Sequence, residues 1–389
     1  MRLRVLSVFG TRPEAIKMAP VVRAIAQRPN EFESLICLTA QHRDMLDQIM
    51  QAFDLRADFD LDLMQQGQSP AEVASRVLSA LPAIFRQAAP NLILVQGDTT
   101  TTAATALAAF LDRIPVGHVE AGLRTGDLLR PFPEEMNRRM TTLAASLHFA
   151  PTERAREALL REGIADDSIF VTGNTVIDAL LQSIGRDRLF DDDALNKLDS
   201  ARRMVLVTLH RRESFGEPMR AVCNALIAIA HAHPDLQFVL PVHRNPMVRE
   251  VVIPALSAES QFVLTEPLGY LDFVHLMARA HLIVTDSGGV QEEAPALDRP
   301  VLVVREVTER PEGVEAGASR LVGTDAATII RNVEELLRDP RAYRAMASAQ
   351  NPYGDGKAAG RIVAAIRAWA NAAATPAGSP RSSRAESTP

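Results

Sequence analysis

Two cysteines in 389 residues leave no disulfide framework and no cysteine-based metal motif. Cys37 lies in a strand-like run and Cys223 in a helical one, so both read as buried reduced thiols of a cytoplasmic protein. An excess of positive charge is also missing: 42 Lys and Arg stand against 48 Asp and Glu, a formal net charge of −6. That excludes nonspecific nucleic-acid binding, which needs a basic face, but leaves room for a local basic pocket. No uninterrupted apolar run has the length of a membrane span. The opening MRLRVLSVFG has too short an apolar part for a secretory signal and runs straight into a strand. A soluble cytoplasmic chain without a membrane partner is expected. Two nucleotide fingerprints are absent too. The first βα turn is Gly10-Thr11-Arg12-Pro13 rather than G-x-G-x-x-G, and there is no G-x-x-x-x-G-K-[ST], so neither a tightly held NAD nor a P-loop is expected. Acidic and histidine runs offer no metal site. Asp58 to Asp62 alternates like a half-exposed edge strand, Asp191-Asp192-Asp193 reads as a solvated loop, and His231 and His233 end a helix, where they suit its dipole.

What is present is an alternation of short apolar strands and longer helical segments. Strands are expected at Leu3–Phe9, Ser34–Thr39, Leu92–Val95, Pro115–Val119, Leu147–Ala150 and Ile169–Thr172. A second set is expected at Met204–Leu209, Gln237–Leu240, Gln261–Leu264, Leu282–Thr285 and Val301–Val304. The pattern implies an α/β chain of two doubly wound, Rossmann-like domains. The length agrees with two domains. The expected division is residues 1–174, residues 175–356, a final helix 357–372 packing back on the first domain, and a disordered Pro/Ser/Ala-rich tail 373–389.

The stretch Leu282 to Glu293 organises the rest. Leu282-Ile283-Val284-Thr285 reads as a buried strand, Ser287-Gly288-Gly289 as a turn free of Cβ crowding, and Val290 to Leu297 as a helix. Free N–H groups at such a helix start suit an anion, phosphate above all. Glu292 and Glu293 would repel that phosphate, so one of them more naturally meets a neutral diol such as ribose. Arg12, Gln41, Asp98, Glu120, His210, His243, Ser287 and Arg310 each follow a predicted strand. In open α/β sheets that is the ligand edge, so two edges facing one cleft are expected. Asp98, Glu120, Glu134 and His210 are the acid–base candidates. Lys17, Arg211 and Arg310 add cations nearby.

These residues carry a resemblance. GTRPEAIKMAP (10–20), TAQHRDMLDQ (39–48), GDTTTT (97–102), PVGHVEAGLRTGD (115–127), PFPEEMNR (131–138), GNTVIDAL (173–180), HRRESFG (210–216), TDSGGVQEEAP (285–295), TERPE (308–312) and NPYGDG (351–356) are similar to motifs of the non-hydrolysing bacterial UDP-N-acetylglucosamine 2-epimerases, in the same order, from residue 3 to about 370. The resemblance implies a glycosyltransferase-B type fold, a homodimer, a UDP-sugar substrate and neither metal nor nicotinamide cofactor. It implies loss of UDP from C1 by anti elimination to 2-acetamidoglucal, then re-addition with the C2 proton on the other face. Asp98, Glu120 and Glu134 match the catalytic carboxylates and His210 the active-site histidine. Arg12, Lys17, Ser287, Gly288, Gly289 and Arg310 would hold the diphosphate, Glu293 the ribose, and Phe273 with the backbone of Leu268 the uracil. Gln41, Glu134, Arg211 and His243 match a second, effector site of some relatives. Asp44 stands there in place of an amide and Gly67 in place of an arginine, so effector dependence is expected to be weak. Leu209 departs from the small residue often found before the histidine. Other readings stay open at this stage: a glycosyltransferase, a hydrolysing epimerase, an epimerase of a related uronic acid derivative, and a noncatalytic nucleotide-sugar sensor.

Overall fold

Runs such as Val5-Leu6-Ser7-Val8-Phe9 and Leu92-Ile93-Leu94-Val95 have no polar face, the pattern of parallel strands covered by helices on both sides. In the computed structural model, which describes residues 2–39, 43–63, 65, 67–184 and 189–374, they are neighbours at the centre of a parallel sheet. Its strands are β1 (Leu3–Phe9), β2 (Phe32–Leu38), β3 (Phe59–Asp60), β4 (Leu92–Gln96), β5 (Val116–Val119), β6 (Leu147–Ala150) and β7 (Ile169–Val171), in the order 3-2-1-4-5-6-7. A second parallel sheet holds β8 (Arg203–Thr208), β9 (Leu236–Pro241), β10 (Phe262–Thr265), β11 (Leu282–Thr285), β12 (Val301–Val303) and β13 (Ser319–Leu321), in the order 10-9-8-11-12-13. Both sheets have the doubly wound arrangement, and both reverse direction once, between β1 and β4 and between β8 and β11. Those reversals are where such sheets bind ligands.

The expected edge strand at Asp58–Asp62 is the two-residue β3, where Asp58 Oδ2 also accepts the Ile36 N–H at 2.8 Å. β13 was not anticipated: three residues, Ser319-Arg320-Leu321, are too short to show a period. The helix after Gly10 spans Arg12–Ala26. It starts with a capping box in which the Thr11 hydroxyl and the Glu14 carboxylate satisfy each other's backbone N–H groups. The threonine run behaves as a helix start, with Thr99 capping the helix Thr100–Leu111 through Thr102 N.

The chain crosses between the sheets twice, and the two crossings touch. Asn174 N donates to Tyr353 O at 2.6 Å. Gly173 and Gly354 have φ of 90° and 144°, and a Cβ on Gly173 would lie 3.4 Å from Gly354 Cα. The second crossing feeds the helix Ala358–Ala374, whose first N–H groups donate to buried Asp178. Its Ile362, Val363 and Ile366 share a core with Val22 and Ile25 beneath the first sheet. Residues 375–389, most of the segment expected to be a tail, lie outside the described residues. Among the described residues no helix is long and apolar enough to cross a membrane.

Candidate active site

The two sheet reversals carry opposite electrostatic arrangements. At the first, Glu14 fills the βα turn. Its Oε2 accepts Gly10 N at 3.0 Å and Thr11 N at 2.7 Å, while its Oε1 accepts the Thr99 hydroxyl at 2.7 Å and lies 3.0 Å from Thr102 Oγ1. An internal carboxylate thus occupies the anion position of this turn and ties the loop after β1 to the loop after β4. Burial raises its pKa, with those hydrogen bonds opposing the rise.

At the second reversal Ser287 N donates to Thr285 Oγ1 at 2.9 Å, and among the described residues no carboxylate takes the N–H groups of Gly288 and Gly289. The helix Gly288–Glu293 begins directly after Ser287 and passes into a 3-10 turn at Ala294–Leu297. The first N–H groups of a helix lack intrahelical acceptors. Fully buried Asp286 faces the other way. Its Oδ2 accepts the backbone N–H groups of His210 and Arg211 at 2.7 and 2.8 Å, and its Oδ1 lies 2.8 Å from His210 Nδ1. The two backbone bonds hold the loop that carries His210, with the Asp286 carboxylate beside its imidazole. His243 stacks on His210 with ring centroids 5.8 Å apart, and burial and the neighbouring His210 lower its pKa.

Between the reversals lies a cleft of about 590 Å³ lined from both sheets. Arg12 and Lys17 come from the first. Leu268, Phe273, His210, His243, Ser287, Gly289, Glu293 and Arg310 come from the second. Gly288 sits just behind this wall, against the Arg211 and Arg310 guanidinium groups. On the cleft floor, Lys17 Nζ meets Glu120 Oε2 at 2.5 Å, and Gln96 Nε2 donates to the same oxygen at 2.7 Å. Glu120 has φ of 66°, a left-handed backbone that costs a residue with a Cβ about 1–3 kcal/mol and is found where the site demands it. Burial raises the Glu120 pKa. Lys17 opposes the rise, while Glu292 and Asp98 add to it. Burial works against the Lys17 charge too, but Glu120 and Glu292 outweigh it and keep the ammonium form. Arg310 Nε is paired with Glu292, which raises its pKa further. Glu293 has a buried Oε2 without a partner, and burial and the adjacent Glu292 push it up to about 8.

Asp98 and Glu134 share a smaller cavity of about 250 Å³ next door, with Thr11, Gln68 and Asn137. Arg138 grips Asp98 Oδ2 through Nε at 2.9 Å and Nη2 at 2.7 Å, leaving Oδ1 for a reacting group. Arg138 is itself held at 3.1 Å by Glu135, which also accepts the Thr125 N–H. Despite its burial, these bonds keep the Glu135 pKa below the usual carboxylate value. His118 donates from Nε2 to the Gly97 carbonyl at 2.7 Å, fixing the peptide before Asp98. Burial pushes its pKa down to about 3, so it is neutral. Glu134 Oε2 is buried without a partner.

The sequence-derived residues therefore fall in two adjoining spaces, with Glu120 joined to the larger one through Lys17. Gln41 lies outside the described residues. Gly67 has φ of 77° with open space where a Cβ would project. Leu209 is buried in the second sheet's core. Sequence reasoning missed Glu14, Gln96, Arg138 and Asp286 as site-building groups. Asp286 was findable, since it follows β11 just as Asp98 and Glu120 follow their strands. Arg138 pairs with a residue 40 positions away, and no local pattern announces that.

Comparison with known proteins yields consistent matches. A family model described as UDP-N-acetylglucosamine 2-epimerase matches residues 23–367. The chain is 55% identical over 371 residues to the UDP-N-acetylglucosamine 2-epimerase of Escherichia coli K12, covering 94% of this chain and 98% of that protein. It is 53% identical to the Salmonella typhimurium protein of that name, covering 94% and 99%. Among solved structures, a UDP-GlcNAc 2-epimerase from Neisseria meningitidis bound to UDP-GlcNAc superposes with a TM-score of 0.84 at 46% identity, covering 94% of this chain and 99% of the other.

Proposed function

The chain belongs to the UDP-N-acetylglucosamine 2-epimerase family, and from that premise we propose how it works: it interconverts UDP-N-acetylglucosamine and UDP-N-acetylmannosamine by anti elimination of UDP to 2-acetamidoglucal and re-addition. The observation that supports this reading is the meeting of two half-buried ion pairs at one cleft, Lys17 with Glu120 and Arg310 with Glu292. Anion-binding groups and proton-moving groups thereby share one space.

The C2 hydrogen of the sugar is not next to a carbonyl, so its loss needs a driving force, which departure of UDP from C1 supplies. Arg12, Lys17, His210, Arg310, the Ser287 hydroxyl and the N–H groups of Gly288 and Gly289 stabilise the leaving diphosphate. Positive charge growing at C1 calls for a nearby carboxylate. Asp98, gripped by Arg138, and Glu120, with its raised proton affinity, take and return the C2 proton on opposite faces, with Glu134 as the third carboxylate of the set. Asp286 holds the loop that carries His210, which serves the departing phosphate. Glu293 accepts from the ribose, and Phe273 with the Leu268 backbone receives the uracil.

Residues 1–174 and 175–356 form the two domains of this reading, with 357–372 returning to the first. We place the enzyme in the cytoplasm as a homodimer. Its buried thiols, Cys37 and Cys223, suit a reducing compartment. Its nucleotide-activated product suits cell-surface polysaccharide assembly, and a knockout with unaltered surface glycans would exclude that role. His243 lines the cleft, Arg211 lies behind its wall and Glu134 lines the adjoining cavity as effector candidates, but Gly67 offers no cation, so we expect turnover without an effector.

One experiment tests both points. Pure UDP-N-acetylmannosamine in heavy water, followed by NMR without added metal or nicotinamide, should show deuterium entering C2 of both epimers from the start. Asp98→Asn should lower turnover about 10²–10⁴-fold while UDP still binds. Conversion without deuterium uptake would exclude proton exchange at C2. A lag abolished by trace UDP-N-acetylglucosamine would show a working effector site.

A further inference from the structure

Arg310 is connected to the hinge by more than its place in the chain. Its side chain pairs with Glu292, and the other carboxylate oxygen of Glu292 accepts Asn174 Nδ2 at 3.1 Å. Asn174 belongs to the first crossing between the sheets. The backbone carbonyl of Glu292 accepts Asn351 Nδ2 at 3.1 Å, and Asn351 belongs to the second crossing. Tyr353, also in the second crossing, accepts Gly313 N at 3.0 Å and donates its hydroxyl hydrogen to the Arg310 carbonyl at 3.2 Å. The two crossings are bonded to each other through Asn174 N and Tyr353 O. Glu292 thus links the Arg310 side chain to both crossings, and Tyr353 links the Arg310 backbone to the second. Glu292 is buried, with a side chain 5% exposed, so water does not compete for these bonds.

We propose that Glu292 is a positioning residue that couples the charge on the leaving diphosphate to closure of the two domains. Glu292 is the counter-ion of Arg310. A diphosphate on Arg310 shares or displaces that carboxylate. The released bond is redistributed to Asn174 at the hinge, which moves Lys17 and Glu120 relative to the phosphate-holding turn. Hinge rearrangement of this kind needs a ligand that interacts differently with the two states, and the Arg310–Glu292 pair supplies that difference. The inference rests on the reading that Arg310 meets the diphosphate.

The test uses the full-length protein, with UDP as the probe. Glu292→Gln should bind UDP at least as tightly as the wild type, because a negative charge beside the diphosphate has gone. Its kcat should nevertheless fall tenfold or more, and the decrease in radius of gyration that UDP is expected to cause in the wild type, read by small-angle scattering, should vanish. Tyr353→Phe leaves both charged partners in place and guards against misfolding of the first variant. It should keep UDP affinity within twofold while kcat drops severalfold and compaction shrinks. A residue that merely stabilises the fold would lower Tm without separating affinity from kcat. Wild-type kcat and compaction in both variants overturn the proposal, as does a parallel loss of affinity and kcat in Glu292→Gln. If Arg310→Ala binds UDP as the wild type does, the phosphate reading falls and this inference with it, a result visible in binding alone.

Discussion

Glu293 sits in the cleft with a proton it would lose in water. Its ordinary value of 4.5 is pushed up to about 8 by burial and by Glu292. Between those values the folded protein holds a proton that the unfolded chain has released, so stability declines as pH rises from about 4.5 to about 8 and levels off above. Glu293→Gln removes that dependence. We expect the variant to melt several degrees above the wild type at pH 8, with the gap closing towards pH 5. UDP affinity should fall about 2- to 10-fold, the worth of roughly 0.5–1.5 kcal/mol for a hydrogen bond between neutral groups. Thermal melts from pH 5 to 8.5 and calorimetric titration with UDP read both effects; a gap independent of pH would locate the titrating proton elsewhere. At this scale the sequence is legible where chemistry follows position. Asp98, Glu120, His210 and Ser287 were found because each follows a strand. The groups that tune them were not, since Arg138 and Glu135 act across the loop after β5 and Glu14 acts by folding back on its own turn.

The βα turn is the element on which both halves are built, and the two reversals use it differently. In the Ser287-Gly288-Gly289 turn Ser287 N donates to Thr285 Oγ1 and the two glycine N–H groups face no internal carboxylate among the described residues, whereas the Gly10-Thr11 turn gives its own to Glu14. Alternation of strands and helices made the doubly wound architecture readable. It did not reveal which turn was already filled, because Glu14 reads locally as an ordinary acidic residue in a first helical turn. Glu14→Ala would leave the Gly10 and Thr11 N–H groups and the Thr99 hydroxyl without their acceptor in a buried site. That should destabilise the protein by about 2 kcal/mol or more and loosen the loops bearing Arg12 and Asp98. Turnover should fall more than UDP affinity, since the open turn lies in the other sheet. Glu14→Gln keeps an acceptor and should fall between. Denaturant unfolding and steady-state kinetics decide it, and a Glu14→Ala enzyme with wild-type kcat would show that the turn needs no internal anion.

At the scale of the molecule, the two-sheet fold followed from the pattern of elements, but the outer faces of the helices carry information that pattern alone does not rank. The helix Glu134–Ala144 presents Met136 and Leu143, seven residues apart and so on one face, at 45% and 82% exposure. The adjoining helix Thr100–Leu111 ends in Phe110 and Leu111 at 60% and 68%. A depression of about 460 Å³ runs beside them over Ile114, Pro115 and Ala144. Contiguous apolar surface of this kind marks an interaction face, and a two-fold dimer requires one self-complementary patch on each copy. We expect this face to carry the homodimer. Phe110 and Leu143 to Glu together should then give monomers at micromolar concentration in analytical ultracentrifugation. The same helix carries Glu134 and the Arg138 that grips Asp98, whereas the open phosphate-type turn lies in the second sheet. Loss of the dimer should therefore lower kcat while leaving UDP affinity nearly unchanged. A dimer that survives both substitutions would move the interface elsewhere, and a wild-type chain that is already monomeric would exclude the dimer. Equal loss of kcat and UDP affinity would show that the partner supports both sheets rather than the helix that holds Asp98.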